Sequence, residues 1–330
     1  MTAVLEVNNL TVAFRSRYRS LTALRDVSFT LGAGRTLALV GESGSGKSVS
    51  SLAIMGLLPR NGSVTGGTIT YRNRRGQSVP LHTIAQKDYR SIRGAEMAMI
   101  FQEPMSSLNP LFTIGDQIGE MLLLHSDLDA GARRQRVLEM LQMVEIPAAA
   151  SRLGAYPHEL SGGMRQRVMI ALALICNPTL LIADEPTTAL DVTIQAQILD
   201  LMRRLQKELG MSILFITHDM GVVAEMADDV AVMYAGAIVE SAPASRLFAA
   251  PSHPYTRGLL NSIPRRSRDL GERLVPIPGT VPPLYDMPPG CAFAPRCALA
   301  DPGCASPVHL EEKRSGHRVA CLKVEACENA

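Results

Sequence analysis

Residues Gly41-Glu42-Ser43-Gly44-Ser45-Gly46-Lys47-Ser48 follow an apolar, β-prone run, Thr36 to Val40, and precede a helix-like stretch, Val49 to Leu57. A glycine-rich loop between a buried strand and a helix start is a phosphate-binding P-loop in the context it requires. The glycines let the backbone curl until successive N–H groups and a helix N-terminus face phosphate oxygens. Lys47 then reaches the β- and γ-phosphates and Ser48 ligates Mg2+. An incidental Gly/Ser turn is the bland alternative, which the match at every specified position and both flanks disfavours.

Further short apolar segments read as strands: Val4 to Val12, Ala95 to Phe101, Leu180 to Ala183, Ser212 to Thr217 and Val230 to Tyr234. Helical spacing marks Ile114 to His125, Ala132 to Ile146, Met164 to Cys176 and Ile194 to Leu209. This alternation predicts an α/β layer fold with a largely parallel sheet. From about Met105 to Leu160 there is helical pattern and little strand signal, so a helical subdomain is expected between sheet segments. Composition changes near Pro251, and prolines recur from Pro276 to Pro289, a context for a linker or wrapped tail.

The 330 residues are 46% hydrophobic, a globular composition long enough for one large domain and an appendage. A formal charge of +2 with interspersed signs gives no reason to expect nucleic acid. The longest apolar run, Val168 to Cys176, has nine residues, far from the roughly 20 that span a bilayer. Met1 to Leu10 lacks the basic start and apolar stretch of a secretory leader, so a cytosolic chain is expected.

Leu180-Leu181-Ile182-Ala183 delivers Asp184 and Glu185 to the C-terminal edge of the sheet, where open α/β sheets bind ligands. Asp184 is expected to hold Mg2+ through its water shell, and Glu185 to orient and polarise an attacking water. Alone, the pair could equally be a helix-capping cluster.

Leu160-Ser161-Gly162-Gly163-Met164-Arg165-Gln166-Arg167 resembles the signature motif of the ATP-binding cassette (ABC) family. Taken alone, Ser161, Gly162 and Gly163 would equally suit an ordinary helix cap. The resemblance implies a helix whose N-terminus faces the γ-phosphate held by a second subunit. In the family's order, Gln102 resembles the Q-loop glutamine that senses Mg2+ and the nucleophilic water. Ala189-Leu190-Asp191 resembles the D-loop at the dimer interface, and His218 the switch histidine that bonds the γ-phosphate. An aromatic upstream of the loop stacks on adenine in this family; Phe14 and Tyr18 are the candidates, Phe14 preferred. Between them and the next strand, Arg15 to Ser20 reads as a solvated loop.

The cassette resemblance covers about residues 4 to 250. It implies a P-loop NTPase cassette, with a RecA-like core sheet, an antiparallel β part and an inserted helical subdomain at about 105–170. Residues 1–250 form the ATPase domain and 251–330 a Cys-rich C-terminal extension. Catalysis falls to Glu185, His218, Lys47 and Gln102, and Mg2+ to Ser48, Gln102 and Asp184.

Gln102 to Pro110, His253-Pro254-Tyr255-Thr256 and Ile277-Pro278-Gly279-Thr280-Val281-Pro282 are similar to the oligopeptide/dipeptide and nickel importer branch, in its D-type ATPase. That implies import of di- or oligopeptides, with nickel or glutathione as the alternative. It also implies a related second ATPase in a heterodimer, two permeases, an extracytoplasmic binding protein and a peripheral place on the cytoplasmic face of the inner membrane. None of these residues has chemistry that selects a peptide. A soluble ABC ATPase of DNA repair or translation is a rival, disfavoured because neither a fused second cassette nor a long coiled coil is present. An iron–sulfur redox protein with a vestigial ATPase is another, disfavoured by intact Gln102, Glu185 and His218.

Five of the six cysteines lie after position 290. Cys291, Cys297, Cys304 and Cys321 are separated by five, six and sixteen residues, a spacing that names no metal. The branch resemblance implies a [4Fe-4S] cluster on these four, with zinc or plain reduced thiols as alternatives. Cys327 could replace Cys321, and Cys176 reads as an apolar core residue.

Overall fold

A computed structural model describes residues 2–16, 19–102, 107–188, 190–262, 276–324 and 327. Two sheets carry the chain. Strands β1 (Ala3–Arg15), β2 (Ser20–Gly32), β4 (Gly62–Arg72) and β5 (Ser78–Pro80) form an antiparallel sheet in the order β2-β1-β4-β5. Asn9 and Asp26 adopt left-handed backbone, φ 50° and 49°, where the pairing of β1 with β2 slips register. Such bulges bend and twist long strands. Here they curl a pair of thirteen-residue strands over the larger sheet, so that Leu5, Leu24 and Leu31 share one core with Leu39 and Ile182.

The larger sheet holds β3 (Thr36–Val40), β6 (Met97–Ile100), β7 (Leu180–Asp184), β8 (Ser212–Thr217), β9 (Asp229–Tyr234), β10 (Ala237–Pro243), β11 (Glu311–Arg314) and β12 (His317–Val319). Its order is β11-β12-β10-β9-β3-β8-β7-β6. β3 is parallel to β8 and β9, and β7 to β8 and β6. β3, β7 and β8 are buried along their whole length, as strands covered on both faces must be.

Helix α1 (Lys47–Ile54) leaves β3 through the glycine loop, and α2 (Gln86–Ile92) precedes β6. Between β6 and β7 lie α3 (Ile114–His125), α4 (Ala130–Met143), the short α5 (Ala149–Arg152) and α6 (Gly162–Leu174). Thr113 caps α3, Asp129 caps α4 and Ser161 caps α6, each accepting a backbone N–H from the first turn. Ile118, Val137, Met140 and Leu141 close an apolar centre that continues through Ile170 and Leu174 to the main sheet. Then follow α7 (Val192–Leu209), α8 (Met220–Met226), α9 (Ala244–Ala249) and α10 (Pro254–Asn261).

The C-terminal region is more than a wrapped tail, because β12 pairs with β10 and β11 with β12, which extends the main sheet. The anchor is Glu240, fully buried in β10. Its carboxylate meets His317 Nε2 at 2.8 Å and accepts the N–H groups of Ser252 at 2.7 Å and His253 at 2.9 Å. Burial alone would push this carboxyl up, but those hydrogen bonds outweigh it and hold it below its ordinary range. Farther along, Tyr234, Tyr255 and Phe293 pack ring against ring at centroid distances of 4.7, 5.2 and 5.4 Å.

Replacing Glu240 with Gln removes a buried charge and turns an amide N–H toward groups that are themselves donors. The expected loss is about 2–4 kcal/mol of stability at neutral pH, measured by thermal or denaturant unfolding. A carboxyl whose folded pKa is depressed stabilises fully above its ordinary pKa and loses that contribution as pH falls through the folded value. The variant should therefore differ most from the parent chain near pH 7 and approach it in acid.

Candidate active site

Gly41, Gln102, Glu185 and His218 all follow the C-terminal ends of parallel strands, so the topology sets them along one sheet edge. The loop depends on backbone that other residues resist. Gly41 has φ 156°, and a Cβ there would stand 2.1 Å from the carbonyl oxygen of Met233. Gly46 caps α1 at φ 105° with Leu24 against it, and Gly236 N–H bonds the Ser45 carbonyl at 2.8 Å.

Lys47 is 5% exposed, with its ammonium on the carbonyl oxygens of Gly41 at 2.7 Å and Glu42 at 3.1 Å. Burial lowers its pKa, against the opposing pull of Glu185, Asp184 and Glu42. Asp184 ends β7 at 3% exposed; its Oδ2 takes the Ser51 hydroxyl at 3.3 Å, and the nearby Ser48 hydroxyl favours its ionised form. Burial pushes the Asp184 carboxyl up, and Oδ1 has no hydrogen-bond partner. A buried carboxylate oxygen without a donor, beside a serine hydroxyl, suits a hard cation with oxygen ligands. Ser48 and Asp184 therefore fit Mg2+.

Glu185 adopts left-handed backbone, φ 49°. Its Oε2 accepts from Gln102 Nε2 at 3.2 Å and the Thr188 hydroxyl at 3.0 Å, and its Oε1 lies 3.1 Å from His218 Nδ1. Burial would raise its pKa, but His218, Thr188 and the charge of Lys47 together bring it below the usual carboxylate range. Both oxygens of the Glu185 carboxyl are thus held in place, and its ionised form is favoured. Gln102, Glu185 and His218, with Gly41, Glu42 and Ser43, border an open cavity of about 570 Å3. Leu259, Ser262, Pro276 and Ile277 supply its other wall.

Phe14 is not on that wall. It ends β1 half-buried, with its ring against Gly62, and packs into the core between the two sheets. Tyr18 lies outside the described residues, as does Ala189. Ser161 and Gly162 are exposed at the start of α6, and Gly163 packs near Ile194; none lines the cavity of its own chain. Asp191 caps α7 by accepting the Ile194 N–H at 2.9 Å. Phe101, next to Gln102, and Leu111 and Phe112 farther along are exposed apolar residues.

Three contacts had no signal in the sequence reading. Thr188 is a turn residue close behind Glu185, a position at which a hydroxyl could have been suspected. Tyr255, whose hydroxyl accepts the Glu42 N–H at 2.8 Å, and Arg296, which ion-pairs Glu42 at 2.6 Å, come from far along the chain.

Cys291, Cys297, Cys304 and Cys321 line one pocket with the apolar side chains of Phe293 and Leu322. Burial raises the thiols of Cys291 and Cys297, and that of Cys321 to about 11. Cys327 is buried beside Arg257 and is not on this wall. Among the described residues no group of three or more His, Cys, Asp or Glu side chains is placed to hold a single metal ion. Cys176 is only half-buried, with its thiol near the Met121 carbonyl at 3.7 Å, so it borders the core instead of filling it.

Comparison with known proteins agrees with this geometry. Residues 24–188 match the family described as ABC transporter, and residues 239–304 match the one described as oligopeptide/dipeptide transporter, C-terminal region. A putative peptide import ATP-binding protein of Brucella ovis is 54% identical over 327 residues, covering 97% of each chain. The dipeptide transport ATP-binding protein DppD of Bacillus subtilis is 53% identical over 298 residues, 90% of this chain and 87% of its own. Among solved structures, the dimeric post-hydrolysis state of the ATP-binding cassette MJ0796, bound to ADP and Pi, superposes with a TM-score of 0.64. It is 27% identical and covers 73% of this chain and 98% of its own. The cbiO1 protein of Clostridium perfringens, part of the ABC transporter complex cbiONQ, gives a TM-score of 0.64 at 26% identity, over 76% of this chain and 92% of that one. The chain belongs to the ATP-binding proteins of the ABC transporter family and, within them, to those that carry an oligopeptide/dipeptide transporter C-terminal region.

Proposed function

We propose that this chain hydrolyses MgATP to drive di- or oligopeptide import through permease partners, from the cytoplasmic face of the inner membrane. The ATPase half of the reading rests most on the Glu185 carboxylate, ionised and held by Gln102, Thr188 and His218 beside the glycine loop. The transport half rests on likeness over nearly the whole chain to proteins named for peptide import. Among the described residues no helix is long and apolar enough to cross a membrane, which fits a subunit that works through partners.

In this reading Gly41 to Gly46 and the N-terminus of α1 receive the phosphates through backbone N–H groups. Lys47 moves from the loop carbonyls to the β- and γ-phosphates. Ser48 and Asp184 would hold Mg2+, which would supply charge neutralisation at the phosphates. Glu185 orients the attacking water, Gln102 reports on that water and the cation, and His218 bonds the γ-phosphate while fixing Glu185. Phe14 lies off the wall of the phosphate cavity but is only partly buried, and it stays the preferred side chain for stacking adenine. Ser161, Gly162 and Gly163, which do not line the cavity of their own chain, serve the site of a second subunit, with Asp191 at the interface. That subunit is a related ATPase, and the surface around Gln102, where Phe101 is exposed, is the docking surface for a permease. Two permeases and an extracytoplasmic binding protein complete the assembly.

Residues 1–250 form the ATPase domain, with a helical subdomain at about 105–170, and 251–330 form a Cys-rich extension. A [4Fe-4S] cluster on Cys291, Cys297, Cys304 and Cys321 is the reading for that extension. Four thiols lining one pocket with Phe293 and Leu322 support it. Such a cluster would lend a rigid cross-link, and redox chemistry if exposed to a partner.

Two measurements test this function. Asp184→Asn should weaken nucleotide binding about tenfold or more with Mg2+ present and leave binding in chelator unchanged. The reconstituted complex of this chain, its second ATPase and their permeases should hydrolyse ATP faster when a peptide-loaded binding protein is added. Unchanged turnover with peptide would overturn the peptide assignment and leave the ATPase in place.

A further inference from the structure

The glycine loop carries a carboxylate, Glu42, where a polyanion must bind. Charges of like sign at close range repel, and the more so where water is excluded. The structure answers this with a residue from the far end of the chain. Arg296 is 8% exposed and forms a two-pronged pair with Glu42, Nη1 to Oε2 at 2.6 Å and Nη2 to Oε1 at 3.0 Å. Its remaining N–H groups reach the Pro278 carbonyl at 2.7 Å, the Tyr234 hydroxyl at 3.4 Å and the Ile277 carbonyl at 3.4 Å. All five donors of the guanidinium are thereby used.

Those partners are not incidental. Ile277 lines the same cavity as Glu42 and Glu185, so one side chain ties the loop to the opposite wall of the site. Tyr255 adds a second tie by accepting the Glu42 N–H. The 294–296 turn that carries Arg296 ends at Cys297, on the wall of the cysteine pocket. The Tyr255 and Ile277 segments, which the ATPase chemistry leaves without a task, thus converge with Arg296 on one loop residue.

We infer that Arg296 is a positioning residue of the nucleotide site, which neutralises Glu42 and clamps the phosphate loop against the Ile277 wall. The inference rests on the reading of the loop as the ATP site. Through Arg296 the C-terminal region becomes part of that site.

The test is titration of the full chain with a fluorescent ATP analogue and Mg2+, with melting temperature followed in parallel. Lys47→Ala should abolish binding; if it does not, the nucleotide reading itself fails, whatever Arg296 does. Arg296→Gln should weaken MgATP about tenfold, because it leaves an uncompensated carboxylate in the loop. Arg296→Gln combined with Glu42→Gln should recover to within about threefold of the parent chain, because the repulsion is gone. A purely structural tether would lower the melting temperature, leave affinity unchanged in the folded protein and make the two substitutions add. Either unchanged affinity in Arg296→Gln or additive losses would overturn the inference. Should Arg296→Gln not fold, Arg296→Lys decides. It keeps the charge but not the fork, and should bind between the parent and a Glu42-unpaired state; parent-like affinity with a lowered melting temperature would count against the clamp.

Discussion

A buried ammonium among three acids organises this molecule. Lys47 has almost no contact with solvent, and desolvation alone would favour its neutral form. Asp184, Glu185 and Glu42 oppose that, and the carbonyls of Gly41 and Glu42 receive its protons. Those groups come from two segments far apart in the chain. β3 supplies the loop and β7 the acid pair, and the two strands reach one edge only because β8 lies between them in a parallel sheet. The requirement that a charge be buried and still be satisfied therefore fixes the sheet order as firmly as hydrophobic packing does.

The parts of this arrangement that were legible in the sequence are those with a local pattern. β3 and β8 are apolar and covered on both faces, so they read as continuous runs, and the structure returns Thr36–Val40 and Ser212–Thr217 without change. Ile114–His125 was also read to its ends, because Thr113 caps it and its apolar spacing is regular. β2 and β4 escaped notice because bulges at Asp26 and a Gly66-Gly67 pair break their alternation. β10 hides its strand character behind Glu240, a charge whose partners are distant in sequence. The exposed Glu-Glu-Lys-Arg of β11 carries no apolar signal at all.

The site follows the same division. The glycine loop, Asp184, Glu185, Gln102 and His218 each sit at the end of an apolar strand and can be found by reading along the chain. What holds them cannot: Glu42 is fixed by Tyr255 and Arg296, residues recruited through the packing of Tyr234, Tyr255 and Phe293. The pairing of β12 with β10 makes that recruitment possible, because it folds the C-terminal region onto the sheet that bears the loop. Local chemistry is written in the strand ends, and its alignment is written in contacts between segments far apart in the chain.

The central claim is that Glu185, held by three neighbours as an ionised base, activates water at a bound nucleotide. Glu185→Gln keeps the shape and most of the hydrogen bonding while removing the charge. Comparing nucleotide affinity and steady-state ATP turnover for this variant and the parent, each in complex with the partner ATPase, tests the claim directly. Affinity within about twofold and turnover reduced at least about a hundredfold is the expected result, in line with loss of a general base. Turnover close to that of the parent would mean that another group activates the water, and the mechanism built on this sheet edge would be wrong.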